Sequence, residues 1–149
     1  MAIRRSSIKG AKSHGAALSV SRFAVRAERL VYIAVANRTV SYGEGRSRVL
    51  YIGTTANGID RIASSAAARA RGMLRLRGVK SVDFFVFTCR PRQRVRMWHK
   101  LERALLLTFK DLYGEPPRFN TQGKNMVWRD EDEYFTRRRL RTIVRRYEA

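Results

Sequence analysis

The sequence predicts an α+β fold in which a small three-stranded antiparallel sheet is flanked by helices, with a basic N-terminal arm and a C-terminal helix. Three observations carry this. Three short runs are dense in Val, Ile, Tyr and Phe, the residues that suit a pleated surface. Two later segments place apolar residues at helical spacing. The length, 149 residues, fits one compact domain, and a hydrophobic fraction of 44% is enough to give it a core, which excludes a disordered chain. No run approaches the roughly 18 consecutive apolar residues of a membrane-spanning helix, so no membrane partner is expected.

The elements follow in order. Residues 1–28 are rich in Ser, Gly, Ala and Arg and read as a partly ordered arm, with a short helix near Val20–Arg29. The runs Leu30–Ala36 and Arg48–Gly53 flank the turn-prone Tyr42-Gly43-Glu44-Gly45 and predict two antiparallel strands. Asn57 is placed to cap a helix reinforced by Asp60 in its first turn, running past Ile62 toward Arg71, where Gly72 can end it. Ser81–Cys89 is a third strand, with Val82, Phe84 and Val86 on one face and Phe85 and Phe87 on the other; apolar residues on both faces predict a central strand. Pro91 stands where a helix would start. The segment from there to Tyr113 aligns Trp98, Leu101, Leu105, Phe109 and Leu112 on one stripe before Gly114, Pro116 and Pro117 stop it. A last helix, Glu131–Tyr147, opens with acids and continues with arginines, the order the helix dipole favours. Its apolar face of Leu140, Ile143, Val144 and Tyr147 packs on the domain or makes a dimer contact.

Charge narrows the function. Lys and Arg number 32 against 12 Asp and Glu, a net +20, which excludes an acidic cation cage and points to a polyanion. Residues 28–128 hold nineteen basic and seven acidic groups, net +12, so the positive field belongs to the body of the protein and not to its arm alone. Arginine supplies 26 of the basic groups, and its planar fork matches phosphate oxygens bidentately, although codon usage gives the same ratio. Cys89 has no partner for a disulfide, and with two histidines it makes no Cys/His zinc site. Chemistry is left to carboxylates, tyrosines, arginines and a hard metal ion.

A few residues are out of place for a plain fold. Glu102 lies on or beside an apolar stripe, four positions after Trp98 and three before Leu105. A carboxylate there is paired with an arginine, protonated, or bound to a cation such as Mg²⁺. Tyr32 and Tyr51 occupy neighbouring strands and read as ordinary strand tyrosines or as a site pair. Arg61, early in its helix, is a solvated charge or a phosphate clamp. Asn120, beyond Pro116-Pro117-Arg118-Phe119, is by itself a turn residue.

Their order is more specific than any one of them. Tyr32 in a strand, Tyr51-Ile52-Gly53 in the next, Arg61 ten residues later, Glu102 in an amphipathic helix and Asn120 past a proline loop together resemble the GIY-YIG nuclease superfamily. The resemblance covers residues 29–124, and residues 125–149 would then be an added amphipathic helix. It implies a metal-dependent endonuclease that hydrolyses phosphodiester bonds in DNA, double-stranded by preference. It also implies a site of Tyr32, Tyr51, Arg61, Glu102 and Asn120, with a single Mg²⁺ or Mn²⁺ on Glu102. Three departures stand out. Leu30 replaces the first glycine of the motif. The stretch Ile33–Leu50 is long, so the hairpin should carry an extended loop. Ser65 stands where many members have His or Tyr, which leaves water activation to Tyr32, Tyr51 or solvent held by the cation. The rival readings are a non-catalytic nucleic-acid-binding protein derived from a nuclease module, and an RNA-binding ribosomal-type protein, which gives Glu102 no purpose. An intracellular location is expected, with organellar or nuclear targeting by the basic arm as a variant.

Overall fold

The structure, a computed structural model, describes residues 26–149. Most of the N-terminal arm, including most of the helix expected near Val20–Arg29, lies outside the described residues. The part within them, residues 26–29, is not helical.

The fold is α+β, as predicted. Strands β1 (Leu30–Tyr42), β2 (Gly45–Thr55) and β3 (Val82–Phe87) form an antiparallel sheet in the order β2-β1-β3. Helix α1 (Gly58–Met73) covers one face, and α2 (Met97–Tyr113) and α3 (Arg137–Arg145) cover the other. Val31, Ile33 and Val35 of β1 with Val49 and Ile52 of β2 face Leu101, Leu105 and Phe109 of α2. Ala34, Leu50 and Met73 form a smaller core on the α1 side, continued by Leu30, Tyr32 and Ile62.

β1 is the central strand, and this corrects the expectation for β3. Every residue from Leu30 to Ala36 is buried, whereas β3 is half-buried to exposed along its length and leaves Phe85 42% exposed. Val82, Phe84 and Val86 pack on the α1 side, while Phe87 reaches the α2 core and Phe85 stands beside Tyr147, so apolar residues on both faces of β3 need no strand on each side. The hairpin is also corrected. No extended loop joins β1 and β2: their strands continue to a short turn at Gly43-Glu44, and the extra residues are taken up in β1 itself, where residues 36–39 stand against Arg48 alone before pairing resumes at Val40 and Ser47.

Two helices differ at their starts. Residues 91–96 do not begin α2; Arg92 and Val95 form a small bridge with Arg94 in a left-handed conformation, and the helix opens at Met97. Gly114, in the left-handed conformation that a side chain would oppose, closes α2 by returning its N–H to the Lys110 carbonyl. Helix α1 passes Gly72 and ends at Met73. Asn57 holds the N-cap position of α1 without a side-chain cap bond.

The C-terminal segment splits. Glu131–Glu133 is one turn of 3₁₀ helix, and α3 starts afresh after Thr136, whose hydroxyl accepts from the Arg139 N–H. The acids therefore do not load the N-terminus of α3. Three of the four take side-chain partners instead: Asp130 pairs with Lys100, Glu131 with Arg103 and Asp132 with Arg137. Leu140, Val144 and Tyr147 join the same core as β1 and α2, so the apolar face of α3 packs on the domain. Among the described residues no helix is long and apolar enough to cross a membrane.

Candidate active site

The site begins with a fault in the β1–β2 register. Ala34 pairs with Tyr51, but Val35 pairs with Val49, so Leu50 is an extra residue on β2. Without that bulge, Tyr51 would stand opposite Ile33 and point into the α2 core. With it, Tyr51 shares the α1 face with Tyr32, and a bulge re-aiming a side chain in this way is common beside functional sites. The two rings lie 5.8 Å apart between centroids.

Gly53 makes room for them. It pairs with Tyr32 across the ladder. A Cβ there would meet Tyr51 Cε1 at 2.5 Å, the Tyr51 hydroxyl at 2.9 Å and the Tyr32 hydroxyl at 3.0 Å. Both phenols therefore converge over one glycine, and the absence of a side chain is what admits them. Tyr32 is only 3% exposed, and its ring also lies 6.2 Å from that of Phe84. Burial, then the nearby Tyr32 hydroxyl, push the Tyr51 phenol up to about 12, against an opposing pull from Arg69. Tyr51 thus keeps its proton at neutral pH and serves as a hydrogen-bond donor. Burial outweighs the pull of the Arg69 guanidinium on this phenol.

Glu102 approaches from α2. Its side chain is 21% exposed and accepts a hydrogen bond from the Thr54 side chain, one residue beyond Gly53. It also lies near enough to Tyr51 to oppose its ionisation. The sequence left three fates for this carboxylate. The arginine-paired one is not found: among the described residues no guanidinium forms an ion pair with it, and its one basic neighbour is His99, with Nδ1 3.8 Å from Oε2. Burial and then the charge of Arg96 lower the His99 pKa, so it is a weak counter-ion at neutral pH. Burial raises the Glu102 carboxyl to about 7, only partly opposed by Thr54. A buried carboxylate without a fixed cation, with hydroxyl oxygens around it, has the hard oxygen-donor chemistry that suits one divalent ion completed by water and phosphate oxygens. Among the described residues no group of three or more His, Cys, Asp or Glu gathers as a fuller metal cage.

Asn120 is more than a turn residue. Its side-chain amide pairs with the outer edge of β2, with Oδ1 accepting from the Ile52 N–H at 2.9 Å and Nδ2 donating to the Ile52 carbonyl at 2.8 Å. The Phe119 N–H adds a bond to the Leu50 carbonyl at 3.0 Å. The proline loop thereby clamps β2 across the bulge that aims Tyr51. Asn120 holds the site's backbone in place through Ile52.

Arg61 sits in the first turn of α1, one residue before Ile62, which packs with Leu30 and Tyr32. Its side chain is exposed and makes no hydrogen bond, ion pair or ring contact among the described residues. The structure thus brings Tyr32, Tyr51, Glu102 and Asn120 around one stretch of β2 and leaves Arg61 exposed on α1 without contact to them. Sequence reasoning missed Arg69, whose guanidinium lies 4.2 Å from the centre of the Tyr51 ring. A signal existed: Arg61, Ser65 and Arg69 recur at every fourth position and so share one side of α1. Comparison of the chain with protein-family profiles, with curated proteins and with solved structures finds no match.

Proposed function

We propose that the protein is a GIY-YIG-type, metal-dependent endonuclease that hydrolyses phosphodiester bonds of double-stranded DNA. The observation that carries the proposal is Glu102: in a chain with twenty surplus positive charges, a largely buried carboxylate has no guanidinium partner among the described residues and lies beside a converging tyrosine pair. A structural carboxylate in such a chain would be expected to pair, as Glu131 does with Arg103.

Glu102 would hold Mg²⁺ or Mn²⁺, with the Thr54 hydroxyl orienting the carboxylate. Held there, such an ion would supply positive charge to the scissile phosphodiester. Tyr51, protonated, donates to the incoming phosphate or water, and Tyr32 orients the attacking water from the same spot over Gly53. Arg61, exposed in the first turn of α1, would fold onto the phosphate as negative charge grows there, a contribution of several kcal/mol when well aimed. Arg69, resting on Tyr51, is a second cation within reach of the same anion. Ser65 between them contributes no base at neutral pH. The wider positive field draws the DNA in.

A second reading is a non-catalytic nucleic-acid-binding protein derived from such a module. Ser65 and the high pKa of Tyr51 favour it, since neither group is a base. Supercoiled plasmid incubated with the purified protein and Mg²⁺ or Mn²⁺ separates the two. Nicking with 5′-phosphate and 3′-hydroxyl products is expected, lost in Glu102→Ala and reduced about a hundredfold or more in Arg61→Ala. Cleavage that survives Glu102→Ala would sink the assignment, and salt-sensitive binding without nicking would establish the second reading.

A further inference from the structure

A cleft of about 320 Å³ opens where the chain enters β1 and leaves β3, lined by Arg29, Cys89, Arg92 and Trp98 among others. Its position relative to the site follows from the register. Val31 is flanked by Thr54 of β2 on one side and Phe87 of β3 on the other. Two residues further out along these strands come Arg29 and Cys89. Thr54 is the residue bonded to Glu102, and neighbouring strands lie about 4.8 Å apart, so the cleft is on the order of 10 Å from that carboxylate. On α2, Trp98 precedes Glu102 by four residues, which puts the two side chains on neighbouring turns of one face.

Trp98 is half-buried, with the guanidinium of Arg29 over its ring at 4.7 Å. Arg29 is exposed and makes no hydrogen bond or ion pair among the described residues. One face of an indole is therefore covered by a solvent-accessible cation that nothing else anchors. Flat heteroaromatic rings stack on such platforms, and a guanidinium freed from the ring pairs with phosphate. Arg92 adds a second positive charge to the wall and Glu28 one negative charge, so the lining keeps a net positive charge. Room, an aromatic plane and two cations suit a nucleobase carrying its phosphate better than an apolar ligand.

We propose that this cleft is a nucleobase pocket, which takes one unstacked base of the bound DNA strand onto Trp98 while Arg29 moves to the adjoining phosphate. The inference rests on the nuclease reading of the neighbouring site and names a feature of its substrate: a strand opened within a nucleotide or two of the scissile bond. Duplexes with an unpaired or mismatched base near that bond then bind more tightly than uniform duplex, because extrusion costs less there.

The test is a binding titration of the full chain in EDTA, which needs no cleavage. The probe is a short single-stranded oligodeoxynucleotide carrying one 2-aminopurine, with Trp98 emission read separately in a Trp128→Phe background. Both signals should change and saturate together. Trp98→Ala should weaken binding about tenfold, Trp98→Phe should restore most of it, and the slope of affinity against salt should stay unchanged, because stacking neutralises no phosphate. Arg29→Gln, a surface change that spares the core, should weaken binding and lower the salt slope. Equal affinity of wild type and Trp98→Phe for an abasic strand and for the normal one overturns the pocket, as does a silent Trp98 signal or an absence of oligonucleotide binding. Base-dependent binding without metal-dependent nicking would instead keep the pocket and fail the nuclease reading.

Discussion

Glu102 and Glu131 are both withdrawn from solvent, one on α2 and the other in the 3₁₀ turn packed against it, yet their ionisation moves in opposite directions. Glu131, fully buried, is also subject to desolvation, but Arg103 Nε at 2.6 Å and the Arg129 N–H at 2.8 Å outweigh it and hold the carboxyl below the usual range. Glu102, though 21% exposed, has only the Thr54 hydroxyl against its desolvation and rises to about 7. The contrast is sharper because Arg103 follows Glu102 directly in sequence. Successive helix residues point about 100° apart, so the guanidinium serves the distant glutamate and not its neighbour. An arginine-rich chain thus neutralises one buried acid fully and leaves the other available. The paired acid ties the C-terminal segment to α2, and the unpaired one is the candidate cation ligand.

The largest effect should come from breaking the paired member. Glu131→Ala leaves Arg103 facing a buried site without its anion and should destabilise the fold by about 3–5 kcal/mol in a denaturant titration. A change below about 1 kcal/mol would mean that the pair contributes little to holding the C-terminal segment.

The unpaired member should behave in the opposite sense. In EDTA, native Glu102 keeps a proton that the unfolded chain, with a carboxyl near 4.5, has released. Stability attributable to this group therefore falls as pH rises from about 4.5 to 7, and the full cost, on the order of 3 kcal/mol, is present above that window. Glu102→Gln should remove the fall and be the more stable protein at pH 8, as judged by denaturant midpoints across pH. Parallel pH profiles for the two proteins would show that Glu102 is not desolvated as described.

Two smaller effects concern the scaffold around the unpaired acid. Gly53→Ala forces the two phenols apart and should cost about 1–3 kcal/mol of stability, with a drop in any nicking rate of about a hundredfold from displaced tyrosines. Asn120→Ala removes both bonds to Ile52 and should cost about 1–2 kcal/mol, with hydrogen exchange at the Ile52 amide accelerating most. An Ile52 amide that remains protected in that variant would show that the proline loop does not clamp β2.

Much of this was legible in the sequence, and the failures have physical causes. The strand runs, both long helices and the placement of α3 on the domain follow from periodicity, since burial of one face imposes it. The order of strands does not, because β3 carries apolar residues on both faces whether or not a strand lies beyond it. The bulge at Leu50 is hidden inside Val49-Leu50-Tyr51-Ile52, an unbroken apolar run whose lack of alternation conceals a one-residue slip. Glu102 stood out as an acid on an apolar stripe, but its lack of an arginine partner depends on where Arg103 reaches, which only the fold decides. Asn120 was legible as a loop residue and not as a mimic of a neighbouring strand, since its partner is backbone 68 residues away.

If the unpaired glutamate carries the chemistry, the initial rate of supercoiled-plasmid nicking in Mn²⁺ at pH 8 depends on it and not on its paired counterpart. Wild type, Glu102→Gln and Glu131→Gln are measured side by side, with folding checked in each. Wild type and folded Glu131→Gln should nick at comparable rates, while Glu102→Gln, the most stable of the three, should lose at least a hundredfold. Nicking by Glu102→Gln at the wild-type rate, or no nicking by the wild type, would contradict the account.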